Sequence, residues 1–128
     1  MLALASPRFT ASRSIARSLA RSFSVSTLDG DNAAVQTFLA DNKLAVLYYT
    51  ATWCPPCKAI KPIYERLSTE YPDVAFGKID VDENPEASAE AAISAVPTFL
   101  FVNDKNIKDR FSGADEASLK IKLDSLQN

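Results

Sequence analysis

The sequence predicts an α/β domain in which a central mixed β-sheet is flanked by helices, in the order βαβαβαββα. Short runs of apolar and β-branched residues alternate with stretches whose apolar residues recur at helical spacing. The last two of these runs follow each other with only a polar turn between them. The 128 residues, 47% of them hydrophobic, suffice for one buried core and not for two.

The first strand is expected over Phe23–Thr27, where β-forming residues alternate with serine. A helix should follow from a cap at Asp29 or Asp31 and end near Asn42, because its apolar residues recur at i, i+3 and i+4. The run Leu44–Tyr49 is almost continuously apolar, as is typical of a buried central strand.

A long amphipathic helix is predicted after the two cysteines. Pro62 lies inside it and should bend it. Its apolar face is formed by Ile60, Ile63, Tyr64, Leu67 and Tyr71.

The last third of the chain continues the pattern after a strand at Val74–Asp82. Asn84 should cap a short helix that starts with Pro85 and runs through the alanine-rich stretch to Ala92. A hairpin is expected from Pro97–Val102 and Asn106–Gly113 around a polar turn. The final helix carries Leu119, Leu123 and Leu126 on one face.

The N-terminal segment, residues 1–22, differs in composition from the rest. The first acidic residue is Asp29, whereas Arg13, Arg17 and Arg21 recur every four residues among many serines. Such a segment is typical of an organelle transit peptide, so we expect it to be cleaved from a domain at 23–128. The arginine spacing favours the mitochondrial matrix, with the chloroplast as the alternative. Alternatively, the segment is a basic tail without a targeting role. The cleavage site could also lie later, at Gly30.

Composition excludes several classes of function. After removal of the four N-terminal arginines, 10 basic and 16 acidic residues remain, which argues against a nucleic-acid partner. No apolar run is long enough to cross a bilayer, so no membrane association is expected. Histidine is absent, which removes histidine bases and the Cys₂His₂ type of zinc site.

Cys54 and Cys57 are the only cysteines. A disulfide between them closes a very small loop, so a purely stabilising crosslink is the weakest interpretation. Two thiols cannot complete a four-ligand metal site in one chain. A Cys-x-x-Cys pair beside βαβ units indicates redox chemistry.

The position of the pair supports this interpretation. A buried strand should end near Thr50 and a helix begin near Cys54, where helix N–H groups and the helix dipole favour a thiolate. Cys54 is therefore the candidate nucleophile. Cys57, one turn further and expected to be more buried, is the candidate resolving thiol.

Five stretches carry a resemblance to a known family: "TWCPPCK", "KAIKPIYERL", "KIDVDENP", "AVPTF" and "FSGA". On these motifs, which span Phe23 to Leu126 in the family's order, the chain resembles the thioredoxin family. The resemblance implies a thioredoxin fold and a protein-disulfide reductase. Its partners would be disulfide-containing client proteins and an NADPH-dependent thioredoxin reductase. No cofactor beyond the cysteine pair and no metal is implied, and the chain is expected to be a monomer.

The resemblance also implies a substrate groove beside the thiols. A cis peptide bond is expected between Val96 and Pro97, with Gly113 lining the groove. The full set of expected groove residues is Trp53, Pro55, Pro56, Val96, Pro97, Gly113 and Ala114. Trp53 is expected at the surface.

Two positions depart from the family pattern. Pro55 stands where most members have glycine. Tyr48 stands where members usually carry a buried aspartate that relays the proton of the resolving cysteine. Tyrosine is a poor base near neutral pH, although it can donate a hydrogen bond. Slower release of substrate is therefore expected.

Other interpretations remain for the same fold. One is a disulfide oxidant or isomerase, another a non-catalytic interaction or chaperone-like module. A metal site shared by the cysteine pairs of two chains is a third.

Overall fold

The computed structural model describes residues 24–128, so the predicted transit peptide and Phe23 lie outside the described residues. The predicted order of strands and helices is confirmed. The elements are β1 (Val25–Thr27), α1 (Asp31–Asp41), β2 (Leu44–Thr50), α2 (Pro55–Glu70), β3 (Ala75–Asp80), α3 (Pro85–Glu90), β4 (Thr98–Asn103), β5 (Asn106–Ser112) and α4 (Glu116–Gln127).

The five strands form one mixed sheet in the order β1-β3-β2-β4-β5. Strands β1, β3 and β2 are parallel, whereas β4 is antiparallel to both β2 and β5. The central position of β2 explains its sequence, because hydrogen-bonded neighbours lie on both sides and helices cover both faces. The middle five of its seven residues are buried.

Alternate residues of β2 pack into two separate hydrophobic cores, one on each face of the sheet. Val46 and Tyr48 pack on one face of the sheet with the apolar side chains of α2 and α4. Leu47 and Tyr49 pack on the other face with α1 and α3. Tyr48 is stacked on Phe99 of β4, with the ring centroids 5.1 Å apart. Two apolar layers therefore hold the end of β2 in place.

Helix α2 runs from Pro55 to Glu70 and presents the predicted apolar face to the sheet. Pro62 lies inside the helix, as predicted, and does not end it. Proline in the first turn is favourable, since the N–H groups there have no partner within the helix. None of the helices in residues 24–128 has the length and apolar character needed to span a bilayer.

Several predicted boundaries were wrong by a few residues. Strand β3 stops at Asp80 rather than Asp82, because the Asp80 carboxylate accepts the backbone N–H groups of Asp82 and Glu83 and starts a turn. Helix α3 ends at Glu90, since Ala92 takes a left-handed conformation with φ of 54°. Strand β1 begins at Val25, because the Ser24 N–H donates to a side chain of α2 instead of a strand.

The predicted helix caps were wrong in detail. Neither Asp29 nor Asp31 caps α1, which follows Gly30 without a side-chain cap. Asn84 precedes α3 as predicted, but its side chain does not cap that helix. It accepts the N–H of Asp31 instead.

Candidate active site

The two cysteines lie where β2 ends and α2 begins. Cys54 is the N-cap residue of α2, and its Sγ accepts the backbone N–H of Cys57 at 3.2 Å. Pro55 and Pro56 have no N–H to donate. The N–H of Cys57 is therefore the first backbone donor of α2, and it is directed at the sulfur of Cys54.

The cysteines form a disulfide, with their Cα atoms 5.2 Å apart. Both are 2% exposed, so the expectation that Cys57 is the more buried of the two was wrong. The sulfurs lie in an apolar setting, because Ala51, Val81 and Val96 pack around them. Ala51 and Val81 were not singled out from the sequence.

The loop before β4 comes close to the disulfide. The Val96–Pro97 peptide bond is cis, which confirms the expectation. The carbonyl oxygen of Val96 lies 3.6 Å from Sγ of Cys54, within reach of a thiol donor in the reduced state. The Gly113 N–H donates to the carbonyl of Pro97 at 2.9 Å, so the β5–α4 loop holds this segment. Gly113 has φ of 117°, a conformation that side chains disfavour.

Trp53 is on the surface as expected, with 65% of its area exposed. Its indole Nε1–H donates to Oδ2 of Asp82 at 2.8 Å. Pro55, Pro56 and Ala114 are also exposed. Asp82 was missed by the sequence analysis, although its place after a parallel strand beside β2 was a usable signal.

Tyr48 is hydrogen-bonded to Cys57. It is 1% exposed, and its hydroxyl donates to the carbonyl oxygen of Cys57 at 2.9 Å. Burial raises the pKa of Tyr48, the charge of Glu65 raises it further, and a hydrogen bond with Thr50 lowers it. The hydroxyl thus stays protonated near neutral pH and acts as a donor, as the sequence suggested.

No carboxyl side chain is buried in the part of the chain that the structure describes, where the buried polar residues are Ser68, Asn84 and Thr98. Residues 24–128 also contain no group of three or more cysteine, aspartate or glutamate side chains placed to hold a metal ion. The Cys54–Cys57 pair can carry out exchange between a dithiol and a disulfide.

Comparison with known proteins agrees with this geometry. The thioredoxin family model matches residues 24–125. A thioredoxin of Geodia cydonium is 46% identical over 85 residues, which are 66% of this chain and 80% of that protein.

Solved structures match as well. Thioredoxin from Fasciola hepatica is 40% identical with a TM-score of 0.76, covering 78% of this chain and 97% of that one. Oxidised mitochondrial thioredoxin 3 from Saccharomyces cerevisiae is 32% identical with a TM-score of 0.76, covering 80% of this chain and 95% of that one.

The chain belongs to the thioredoxin family. Together with the Cys54–Cys57 pair, this membership makes it a thiol-disulfide oxidoreductase that acts on protein disulfides.

Proposed function

We propose that the chain reduces protein disulfides in an organelle and is recharged by an NADPH-dependent thioredoxin reductase. In the reduced state Cys54 attacks a client disulfide, and one client sulfur leaves with the electron pair. Cys57 then attacks Sγ of Cys54, which frees the second client thiol and leaves the Cys54–Cys57 disulfide. Two electrons pass from the dithiol to the client.

One observation carries this assignment of roles. Sγ of Cys54 accepts the Cys57 N–H at the start of α2, so the sulfur sits at the positive end of a helix dipole. A thiolate at Cys54 keeps that hydrogen bond and gains from the dipole, which favours Cys54 as the attacking sulfur. Cys57 lies one turn into the helix and receives no such donor from Cys54.

The residues around the disulfide would form the groove that binds client proteins. Trp53, Pro55 and Pro56 form an exposed rim on one side. The cis segment Val96–Pro97 lies on the other side, with the Val96 carbonyl directed toward Cys54. An extended client peptide bound along Val96 would place its disulfide at Cys54 while apolar side chains rest on the rim.

The site of action is proposed from the N-terminal sequence. The arginine-rich, acid-free composition of residues 1–22 supports import into the mitochondrial matrix, with the chloroplast as the alternative. Imaging of the full chain fused at its C-terminus to a fluorescent protein tests this proposal. A variant with Arg13, Arg17 and Arg21 changed to alanine should lose its fluorescence in the organelle. If that variant still localises to the organelle, the import proposal is refuted.

The reductase function is tested by NADPH consumption. Residues 23–128, a thioredoxin reductase and a protein disulfide are combined, with Cys54→Ser as the blank. We expect turnover with the native chain and none with the variant. The reduction potential is measured alongside, and a value near about −270 mV is expected for a reductant of this type. A value far above this would assign the chain to the oxidants or isomerases.

A further inference from the structure

The resolving step requires Cys57 to lose a proton. Before the step, Cys54 is joined to a client sulfur and Cys57 carries a thiol. Afterwards Cys57 and Cys54 share a disulfide, the bond from Cys54 to the client is broken, and the client sulfur has the electron pair and a proton. Since a thiolate is the attacking form, some group must accept the proton of Cys57.

The groups that face this region do not include a buried base. On β2 the Tyr48 hydroxyl is a donor to the Cys57 carbonyl, and the hydroxyl of Thr50 is a partner of Tyr48. On β3, Lys78 is the in-register partner of Tyr48, and Asp80 is bound to the N–H groups of the turn that follows. On α2, Glu65 acts on Tyr48 through its charge and is partly exposed.

The remaining neighbours are neutral. On β4 the contact to Tyr48 is the apolar ring of Phe99, and Tyr64 of α2 packs 4.8 Å from Tyr48 between ring centroids. The Tyr64 hydroxyl donates to the carbonyls of Val46 and Gly77. Neither side chain can accept the proton of Cys57.

We propose that Tyr48 is a positioning residue for Cys57, and that the proton of Cys57 passes to water rather than to a carboxylate of the protein. The hydrogen bond from the Tyr48 hydroxyl to the Cys57 carbonyl fixes the first turn of α2, and so directs the resolving sulfur toward Cys54. This inference rests on the proposed reductase function and specifies its second step.

Two consequences follow for the rate of resolution. Without a protein base, the rate follows the thiolate fraction of Cys57 alone. It rises about tenfold per pH unit on the acid side and shows one inflection. Loss of the Tyr48 hydroxyl reduces the fraction of time that Cys57 is aligned, and this effect is the same at every pH.

The test uses the reduced full chain and the aromatic disulfide dithiobis-nitrobenzoate in excess. Attack by Cys54 releases one coloured thiolate, and resolution by Cys57 releases the second. The second phase does not depend on the concentration of the probe. Cys57→Ser, which stops after the first release, assigns the two phases. Rates are measured between about pH 5.5 and about pH 9.5, a range that extends to both sides of the ordinary cysteine pKa of about 8.5.

The matched variants are Tyr48→Phe and Tyr49→Phe. Both replace a tyrosine that is 1% exposed, but Tyr49 faces the opposite core. We expect Tyr48→Phe to slow the second phase about 3- to 10-fold at every pH and to leave the first phase unchanged, as for loss of one hydrogen bond. We expect Tyr49→Phe to change neither phase. Tyr48→Asp should add a base, seen as a second inflection.

Three results would overturn the inference. A second inflection in the native chain would show that a protein group accepts the proton. An unchanged second phase in Tyr48→Phe, or an equal slowing of both phases, would remove the positioning role. Absence of the first phase in the native chain would refute the proposed reductase function itself and the inference with it. If Tyr48→Asp does not fold, the pH–rate profiles of the native chain and of Tyr48→Phe still test both parts of the inference.

Discussion

Asp31 and Asn84 connect the N-termini of two helices. The backbone N–H of Asp31 donates to Oδ1 of Asn84 at 2.9 Å, and the Asp31 carboxylate accepts the N–H of Ala87 in α3 at 2.6 Å. Asn84 is fully buried and also donates to the carbonyl of Asp80. In the first turn of each helix, one backbone N–H is thus bound by a side chain from the start of the other helix, which links α1 to the loop after β3.

Replacement of Asp31 by alanine should destabilise the protein by about 1–2 kcal/mol, because α3 loses its cap. Asp31 also has φ of 55°, which alanine tolerates less well than aspartate or asparagine. Asp31→Asn keeps an acceptor and the backbone preference, so a smaller loss is expected. Urea unfolding of both variants measures the difference, and equal losses would contradict a capping role.

The bond between Trp53 and Asp82 should hold the indole beside the disulfide. Asp82→Ala removes the acceptor, and we expect the anisotropy of tryptophan fluorescence to fall and attack on a protein disulfide to slow about 2- to 5-fold. Trp53 is the only tryptophan, so the signal is specific. Asp82→Asn retains an acceptor oxygen and should stay near the native values. Equal behaviour of the two variants would show that the bond does not orient the indole.

Alkaline pH should destabilise the protein through its four tyrosines, all of which have raised pKa values. Burial raises the pKa of Tyr49 from 10.0 to about 12, while nearby Arg110 opposes the shift. The unfolded chain loses this proton first, so the stability from Tyr49 is complete below pH 10 and is lost as pH rises toward 12. The slope is at most about 1.4 kcal/mol per pH unit.

Urea unfolding at pH 8, 10 and 11 tests this expectation with Tyr49→Phe as the comparison. The variant should lose less stability than the native chain between pH 10 and pH 11. An equal decrease in the free energy of unfolding of both proteins would show that groups other than Tyr49 cause the loss of stability at alkaline pH.

Arg110 should rigidify the segment that leads to the cis peptide bond. Its guanidinium donates to the carbonyl oxygens of Ala91 and Ala92, at 3.0 and 3.4 Å, at the end of α3. In Arg110→Ala we expect the amide of Ile93, which is bound to the Ser88 carbonyl, to exchange its hydrogen about 3- to 10-fold faster. Arg110→Lys keeps the charge but lacks the planar guanidinium that binds both carbonyl oxygens. We therefore expect an exchange rate between those of the native chain and Arg110→Ala. Native-like exchange in Arg110→Ala would contradict this role.

The parts of the fold that the sequence predicted well are those set by local pattern. The buried strand β2 was visible as an apolar run, and α2 as a helical repeat that starts with prolines. The cysteine pair was likewise identified from its spacing and its place at a strand end. Each of these signals lies within about 15 residues, where the periodicity of side chains is informative.

Contacts between distant segments were not predictable in this way. Asparagine is a common helix cap, yet the side-chain oxygen of Asn84 accepts the N–H of Asp31, which lies 53 positions earlier in the chain. The partner of Trp53 is Asp82, 29 positions away. The end of a neighbouring parallel strand indicates the region of the site, but no local pattern selects Asp82 as the partner of Trp53. The cis bond before Pro97 was expected only from the family resemblance, since most X–Pro bonds are trans.

The alternation of β2 between two cores has a consequence for how the chain can change over evolution. Tyr48 and Tyr49 are neighbours in sequence but belong to opposite layers. Insertion or deletion of a single residue between Leu44 and Thr50 would exchange those layers for every following position of the strand. It would also shift the start of α2, and with it Cys54. The length of β2 is therefore constrained by the position of the disulfide, whereas the loop between β4 and β5, at the far end of the sheet, is free of that constraint.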